Sequence, residues 1–141
     1  MDHARHFYID GKWVDPYGTR TLPVINPATE QEIATIPLGD VLDVDIAVAA
    51  ARAAFTTYSQ TSVEERVALL QRVAEVYGRR AEEIGETISR EMGAPRRLAV
   101  DVQAAVGPIH LDKAITALQS FRFEHEMGST LVIREPIGVC A

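Results

Sequence analysis

The sequence feature that most constrains the fold is the apolar run at residues 137–141, Ile-Gly-Val-Cys-Ala. An unbroken apolar run of this kind is typical of a strand that is buried on both faces in a parallel sheet. A parallel strand needs a parallel neighbour, and the one longer apolar run, residues 46–51, is mostly alanine and lies in a predicted helix. We therefore expect an incomplete α/β chain, truncated where the first strand of a parallel sheet begins.

Two β-hairpins are predicted ahead of the helices. Residues 7–14 form the first hairpin around Asp10-Gly11, because this pair favours the positive φ angles of a type I′ turn. Residues 22–36 form the second hairpin, in which Pro23 indicates an edge position.

A layer of about four helices is predicted next. Asp40 is a candidate N-cap, and Ser62 with Glu65 forms a capping box. We expect a helix break at Gly78, because glycine lowers helix stability by about 1 kcal/mol relative to alanine. Gly93 is expected to end the third helix.

The fourth helical stretch, residues 96–121, contains a proline that should kink or split it, because Pro108 lacks a backbone donor. Helical spacing of apolar residues predicts which side chains face the core. The predicted core positions of the first two helices are Val44, Val48, Ala51, Phe55, Tyr58, Leu70, Val73 and Tyr77.

Composition and charge exclude several classes of protein. Apolar residues make up 47% and charged residues 24%, which is the range of globular proteins. The net charge of −6, with scattered arginines, argues against nucleic acid or an anionic membrane as a partner. No apolar run approaches the roughly 20 residues of a membrane helix. The single cysteine and the lack of a signal-like N-terminus indicate a cytoplasmic location.

Several segments, in order, resemble the N-terminal part of NAD(P)-dependent aldehyde dehydrogenases. Residues 7–14 resemble the family's opening hairpin, and residues 26–37 resemble its NPATGEVIATVP hairpin. Glu91-Met92-Gly93-Ala94-Pro95 stands where many members read ETGKP, and residues 134–139 resemble REPIGVV. Each match alone is weak, but their order and spacing over nearly the whole chain are specific.

The resemblance implies a division of the chain into three parts. Residues 1–128 would form the N-terminal part of the cofactor-binding domain, and residues 129–136 would form a bridging strand for oligomerisation. Residues 137–141 would start the first strand of a Rossmann-like parallel sheet. In the family, a TPWN segment follows, and the cofactor-contacting lysine, the catalytic glutamate and the nucleophilic cysteine come later still. We therefore expect no catalytic, cofactor-binding or metal-binding residue in this chain.

The implied activity is oxidation of a small aldehyde to a carboxylic acid with NAD or NADP, through a cysteine thiohemiacetal. The chain alone is expected to be inactive, and its partners would be the rest of its own polypeptide and further copies in a homodimer or homotetramer. Two alternatives remain open: a self-standing, non-catalytic α+β interaction module, and one half of a split enzyme.

The bridging strand is the most functional segment that the resemblance implies. An exposed apolar edge strand needs a partner, which favours a role in oligomerisation over that of an internal edge strand. The oligomerisation residues predicted in this way are Thr130, Leu131, Val132, Ile133 and Arg134.

Other candidate residues have simpler explanations. Cys140 lies in an apolar run without a nearby histidine and is interpreted as a buried packing residue. The histidines show no metal-ligand spacing, and His3 and His6 are expected in a flexible tail. Some family members hold a structural cation, which here would lie near Val24, Ile25 and Glu91, with oxygen ligands.

The plentiful carboxylates of the helices are interpreted as caps and solvated faces with arginine partners such as Arg79 and Arg90. They are Glu64, Glu65, Glu82, Glu83 and Glu86. Gly93 and Gly138 belong to no phosphate-binding pattern. The sequence leaves open which aldehyde is oxidised, whether NAD or NADP is used, and whether a dimer or a tetramer forms.

Overall fold

The computed structural model describes residues 3–140. Three separate two-stranded antiparallel sheets accompany a helical part that contains three long helices. The predicted α/β character is therefore present at a coarse level, with three long helices rather than about four. None of the helices in residues 3–140 has the length and apolar character needed to cross a membrane.

The first hairpin pairs β1 (Phe7–Ile9) with β2 (Lys12–Val14). Its turn residues Asp10 and Gly11 have φ angles of 52° and 72°. Two successive positive φ angles are what the right-handed twist of a tight hairpin requires, and this explains the Asp-Gly pair.

The second hairpin pairs β3 (Thr21–Asn26) with β4 (Gln31–Pro37). The register shifts between Val24 and Ile25, so the strand is irregular at this point. An irregularity of this kind leaves backbone groups outside the regular hydrogen-bond pattern.

Helix α1 spans Val41–Tyr58 and begins at the predicted cap. The Asp40 carboxylate accepts hydrogen bonds from the backbone N–H groups of Leu42 (2.9 Å) and Asp43 (3.2 Å). The Asp43 carboxylate accepts in return from the Asp40 N–H at 2.9 Å. The two aspartates thus satisfy donors at the start of the helix that have no partner within it.

Helix α2 spans Val63–Met92 without interruption, so the predicted break at Gly78 is wrong. The helix starts at a capping box of Ser62 and Glu65 and ends at Gly93, which has a φ of 71°. The cost of Gly78 is offset locally by ion pairs on either side of it, Glu75 with Arg79 and Arg80 with Glu83.

The chain after α2 forms a short helical turn α3 (Arg96–Leu98), then a π-helical turn (Ala99–Gln103), and finally α4 (Val106–Ser120). The split therefore lies before α4, whereas Pro108 sits in the first turn of α4. Proline is tolerated there because its missing N–H would have no partner within the helix in any case.

Close packing joins α2 to the π-helical turn. A Cβ atom built on Gly85 would lie 2.7 Å from the Val100 Cα atom, so only glycine allows this approach. About two turns earlier in α2, the Tyr77 hydroxyl donates a hydrogen bond of 2.8 Å to the Ala104 carbonyl.

A third hairpin, which we did not predict, pairs β5 (Glu124–Met127) with β6 (Thr130–Ile133). Only β6 was expected, because residues 124–127 lack the β-branched and aromatic residues that favour strands. Residues 134–140 form no strand in the structure. The predicted parallel strand is therefore not confirmed, since no parallel partner lies within residues 3–140, and Ala141 lies outside the described residues.

Candidate functional site

The described part of the chain buries very little apolar surface. Only Val67, Ala99 and Ala104 form a buried apolar core. The accessible surface is 10,655 Å² for a mass of 15.5 kDa. This is about half as much again as the roughly 7,200 Å² typical of a folded monomer of that mass.

Much of the excess surface lies on helix faces that were predicted to be buried. In α1, Val44 is 58% exposed and Tyr58 is 53% exposed. In α2, Val73 is 44% exposed, and it lines an open apolar groove with Val76 and Ile84. The prediction that these residues are core positions is therefore wrong for residues 3–140 taken by themselves, because no element of this region covers those faces.

The predicted oligomerisation residues lie on β6 and just after it. Leu131 and Ile133 share one face of the hairpin and are each 54% exposed, whereas Val132 on the other face is half-buried. Each of the two exposed residues lies opposite a glutamate of β5, Glu126 and Glu124 respectively. The exposed face therefore combines apolar and acidic side chains on two strands that pair only with each other.

A stack of arginine and phenylalanine side chains joins this hairpin to α2. The Phe121 and Phe123 rings meet edge to face, with centroids 4.7 Å apart. The Arg66 guanidinium lies 5.2 Å from the centre of the Phe123 ring, and the Arg134 guanidinium lies 5.2 Å from the centre of the Phe121 ring. Sequence analysis missed this stack, although the Phe-Arg-Phe segment at residues 121–123 was a possible signal.

Each arginine of the stack is also held by a carbonyl group. The Arg66 Nε atom donates to the Ser62 carbonyl at 3.2 Å, at the start of α2. The Arg134 Nη1 atom donates to the Arg122 carbonyl at 2.9 Å, and the Arg134 backbone N–H donates to the Phe123 carbonyl at 2.8 Å. The base of the hairpin is therefore connected to the capped end of a long helix.

Asp43 is the one buried charged residue in the described chain. Its carboxylate also accepts hydrogen bonds from the backbone N–H groups of Tyr17 (2.9 Å) and Gly18 (3.3 Å). The Tyr17 N–H, the Asp40 N–H and, to a smaller extent, the Gly18 N–H lower the pKa of Asp43. The charged carboxylate therefore fixes α1 to the loop that follows the first hairpin.

The three residues predicted near a structural cation lie on two elements that contact each other. Val24 and Ile25 flank the irregularity in β3, and β3 contacts α2, which carries Glu91 in its last turn. No group of three or more metal-ligating His, Cys, Asp or Glu side chains occurs in residues 3–140. A cation at this place would need backbone carbonyl ligands and stays a prediction.

Cys140 is exposed, so its interpretation as a buried residue is wrong for the region that the structure describes. Its sulfur lies near a carbonyl, that of Gly138 (3.9 Å), and nothing in this arrangement activates a thiol. The N-terminal histidines are packed on the first hairpin, contrary to the predicted flexible tail. The His3 ring stacks on Trp13 at 4.2 Å, and the His6 Nε2 atom lies 3.4 Å from an Asp15 carboxylate oxygen.

Three of the five helix carboxylates pair with arginines in the described residues, and these arginines are Arg80 and Arg96 rather than the predicted Arg79 and Arg90. Glu83 pairs with Arg80, which lowers the pKa of Glu83, and Arg96 bridges Glu82 and Glu86. All these side chains are largely exposed. Exposed pairs of this kind stabilise a protein by about 1 kcal/mol or less each and indicate no acid–base site.

Residues 3–140 offer no arrangement that fits a dinucleotide. The sequence has no glycine-rich phosphate-binding pattern, and the described region has no parallel strand that leads into a helix.

The sequence model of the aldehyde dehydrogenase family matches residues 13–141, nearly the whole chain. The chain belongs to the aldehyde dehydrogenase family. This membership confirms the resemblance found in the sequence.

Individual aldehyde dehydrogenases are similar over the same region. A 3-succinoylsemialdehyde-pyridine dehydrogenase from Pseudomonas is 47% identical over 99% of this chain and 30% of its own length. A putative aldehyde dehydrogenase from Staphylococcus haemolyticus is 42% identical over 94% of this chain and 28% of its own length.

A solved aldehyde dehydrogenase has the same fold over this region. Aldehyde dehydrogenase C from Pseudomonas syringae, crystallised as a mutant with NAD+ and octanal, superposes with a TM-score of 0.93 at 42% identity. The superposition covers 96% of this chain and 28% of that protein. The chain thus spans less than a third of the length of these relatives.

Proposed function

We propose that this chain is the N-terminal portion of an enzyme that oxidises a small aldehyde to a carboxylic acid with NAD or NADP. The observation that supports the proposal best is the family match, which covers nearly all of this chain but less than a third of each relative. The nucleophilic cysteine, the thiohemiacetal formed on it and the general base belong, in this proposal, to the remaining two thirds.

The role of the described residues is structural in this proposal. Residues 1–128 form the N-terminal part of the cofactor-binding domain, and their helices cover one side of it. Residues 129–136 form the bridging strand, and residues 137–141 begin the first parallel strand. The exposed apolar faces of α1 and α2 support this role, because the excess surface far exceeds the roughly 800 Å² that one partner contributes to a standard interface.

The cofactor, when bound, accepts a hydride from the substrate. The residues described here neither contact the nicotinamide nor hold the phosphates in this proposal. They act by supporting the sheet on which the cofactor rests.

The bridging strand is proposed to act in assembly. In this role the exposed Leu131 and Ile133 face pairs with another copy of the complete protein, giving a homodimer or homotetramer. The alternative role, an internal edge strand, would leave assembly insensitive to these two residues.

An activity assay with two polypeptides tests the proposal. The 141-residue chain and a longer polypeptide encoded by the continuing reading frame are purified and supplied with several aldehydes and with NAD+ or NADP+. NAD(P)H absorbance should rise with the longer polypeptide and not with the 141-residue chain. Absorbance that rises with the 141-residue chain alone would refute the assignment of catalysis to the remainder.

The same assay separates the two alternatives. A longer polypeptide that is inactive with every aldehyde would favour a non-catalytic interaction module. Activity that appears when the 141-residue chain is mixed with a separately produced C-terminal part would favour a split enzyme.

A further inference from the structure

Within residues 3–140, few contacts with other elements support the hairpin of β5 and β6. Its two strands pair only with each other, and neither makes extensive contact with another described element. A lone two-stranded hairpin is marginally stable in water. A surface that pairs with a second copy must nevertheless keep a fixed orientation before association. The entropy lost in ordering a mobile surface on association weakens binding.

The arginine–phenylalanine stack fixes the orientation of this hairpin at its base. Arg66 starts the series from α2, since its Nε atom is held by the Ser62 carbonyl while its guanidinium covers Phe123. The Phe123 ring contacts the Phe121 ring edge to face. The guanidinium of Arg134, the residue directly after β6, lies over the Phe121 ring. The four side chains therefore contact one another in sequence, from the capped start of α2 to the β5–β6 hairpin.

We infer that Arg66 and Arg134 are positioning residues for assembly, which set the direction of the β5–β6 hairpin toward a second copy of the complete protein. The inference rests on the proposed role of the bridging strand. It assigns a role in association to Arg66, which lies on a helix outside the predicted oligomerisation residues, and it gives Arg134 a positioning role rather than a pairing role.

The planar guanidinium suits this role. It stacks on an aromatic face while its edge donates hydrogen bonds, and both arginines of the stack do this. A lysine at position 66 would keep the charge but would lack a flat surface for Phe123 and the Nε donor for Ser62.

The size of the effect follows from the number of contacts. One exposed cation–aromatic contact changes an equilibrium by about two- to fivefold. The Arg66 contact with Phe123 also exists in the free subunit, so its loss weakens association only as far as it disorders the free hairpin. A symmetric pair of subunits presents two hairpins, so association should weaken by up to about thirtyfold.

The test compares full-length variants by sedimentation velocity over a range of concentrations. Arg66→Leu removes the contact, Arg66→Lys keeps the charge, and Arg79→Gln is the control, since Arg79 lies on the same helix and pairs only with Glu75. Hydrogen exchange of residues 124–133 and of α2 is measured in parallel. A further pair, Phe123→Leu alone and combined with Arg66→Leu, completes a double-mutant cycle.

The expected result is a weaker association for Arg66→Leu, by up to about thirtyfold, with partial recovery for Arg66→Lys and no change for Arg79→Gln. Exchange should accelerate in residues 124–133 but not in α2, and Arg66→Leu should add little to Phe123→Leu. Unchanged association, or acceleration that is equal in α2, would overturn the inference. A wild-type protein that is monomeric yet oxidises aldehydes would overturn it too, while leaving the proposed catalytic function intact.

Discussion

Two glycines of α2 should respond in opposite ways to the same substitution. Gly78→Ala adds a methyl group where no atom lies within 4 Å, so it should gain the helix preference of alanine, about 1 kcal/mol. Gly85→Ala places the methyl carbon 2.7 Å from both the Cα and the Cγ2 atoms of Val100. Overpacking of this kind costs about 1–3 kcal/mol, which cancels or exceeds the gain in helix preference.

Native-state hydrogen exchange of α2 in the full-length protein measures both effects, because it reports local opening without requiring two-state unfolding of the whole molecule. Exchange of the α2 amides should slow by about fivefold in Gly78→Ala, as expected for about 1 kcal/mol. In Gly85→Ala it should be unchanged or up to about 30-fold faster, and the π-helical turn should exchange faster with it. Equal slowing in both variants would refute the close packing of α2 against residues 99–103.

The remaining predictions concern Asp43 and the β5–β6 hairpin. The pKa of Asp43 is lowered in the folded state, so the ionised carboxylate stabilises α1. This stabilisation should be complete above the ordinary carboxyl pKa of about 3.9 and should decline as the pH falls toward the lowered pKa. Hydrogen exchange of α1 should show this acid loss in the wild type, and Asp43→Asn should already exchange faster at pH 7, with little further loss on acidification. Leu131→Asp and Ile133→Asp should each shift the full-length protein to smaller species in sedimentation velocity, whereas Glu126→Gln should not. An unchanged assembly in both aspartate variants would assign β6 to an internal edge.

The local features of the fold were predictable because they depend on neighbouring residues. The Asp10-Gly11 turn and the Ser62 capping box are set by chemistry within four residues, and the structure contains both. The continuity of α2 through Gly78 was not predictable from glycine preference alone. It depends on ion pairs and on packing of Tyr77 against a distant turn.

The missed features depend on residues far apart in the sequence. The strand β5 owes its conformation to pairing with β6 rather than to its own residues Glu124–Met127. The Tyr17 and Gly18 donors reach Asp43 across about 25 positions of sequence. The spacing of Val44 and Val73 correctly marked apolar helix faces, but it could not say that no described element covers them.

The most direct test of the account is thermal unfolding of the isolated 141-residue chain, followed by circular dichroism together with sedimentation and binding of a dye specific for exposed apolar surface. The account predicts a broad transition, strong dye binding and self-association, because the exposed faces of α1 and α2 are shaped to be covered by further polypeptide. A monomer with a sharp two-state transition and no dye binding would contradict the account.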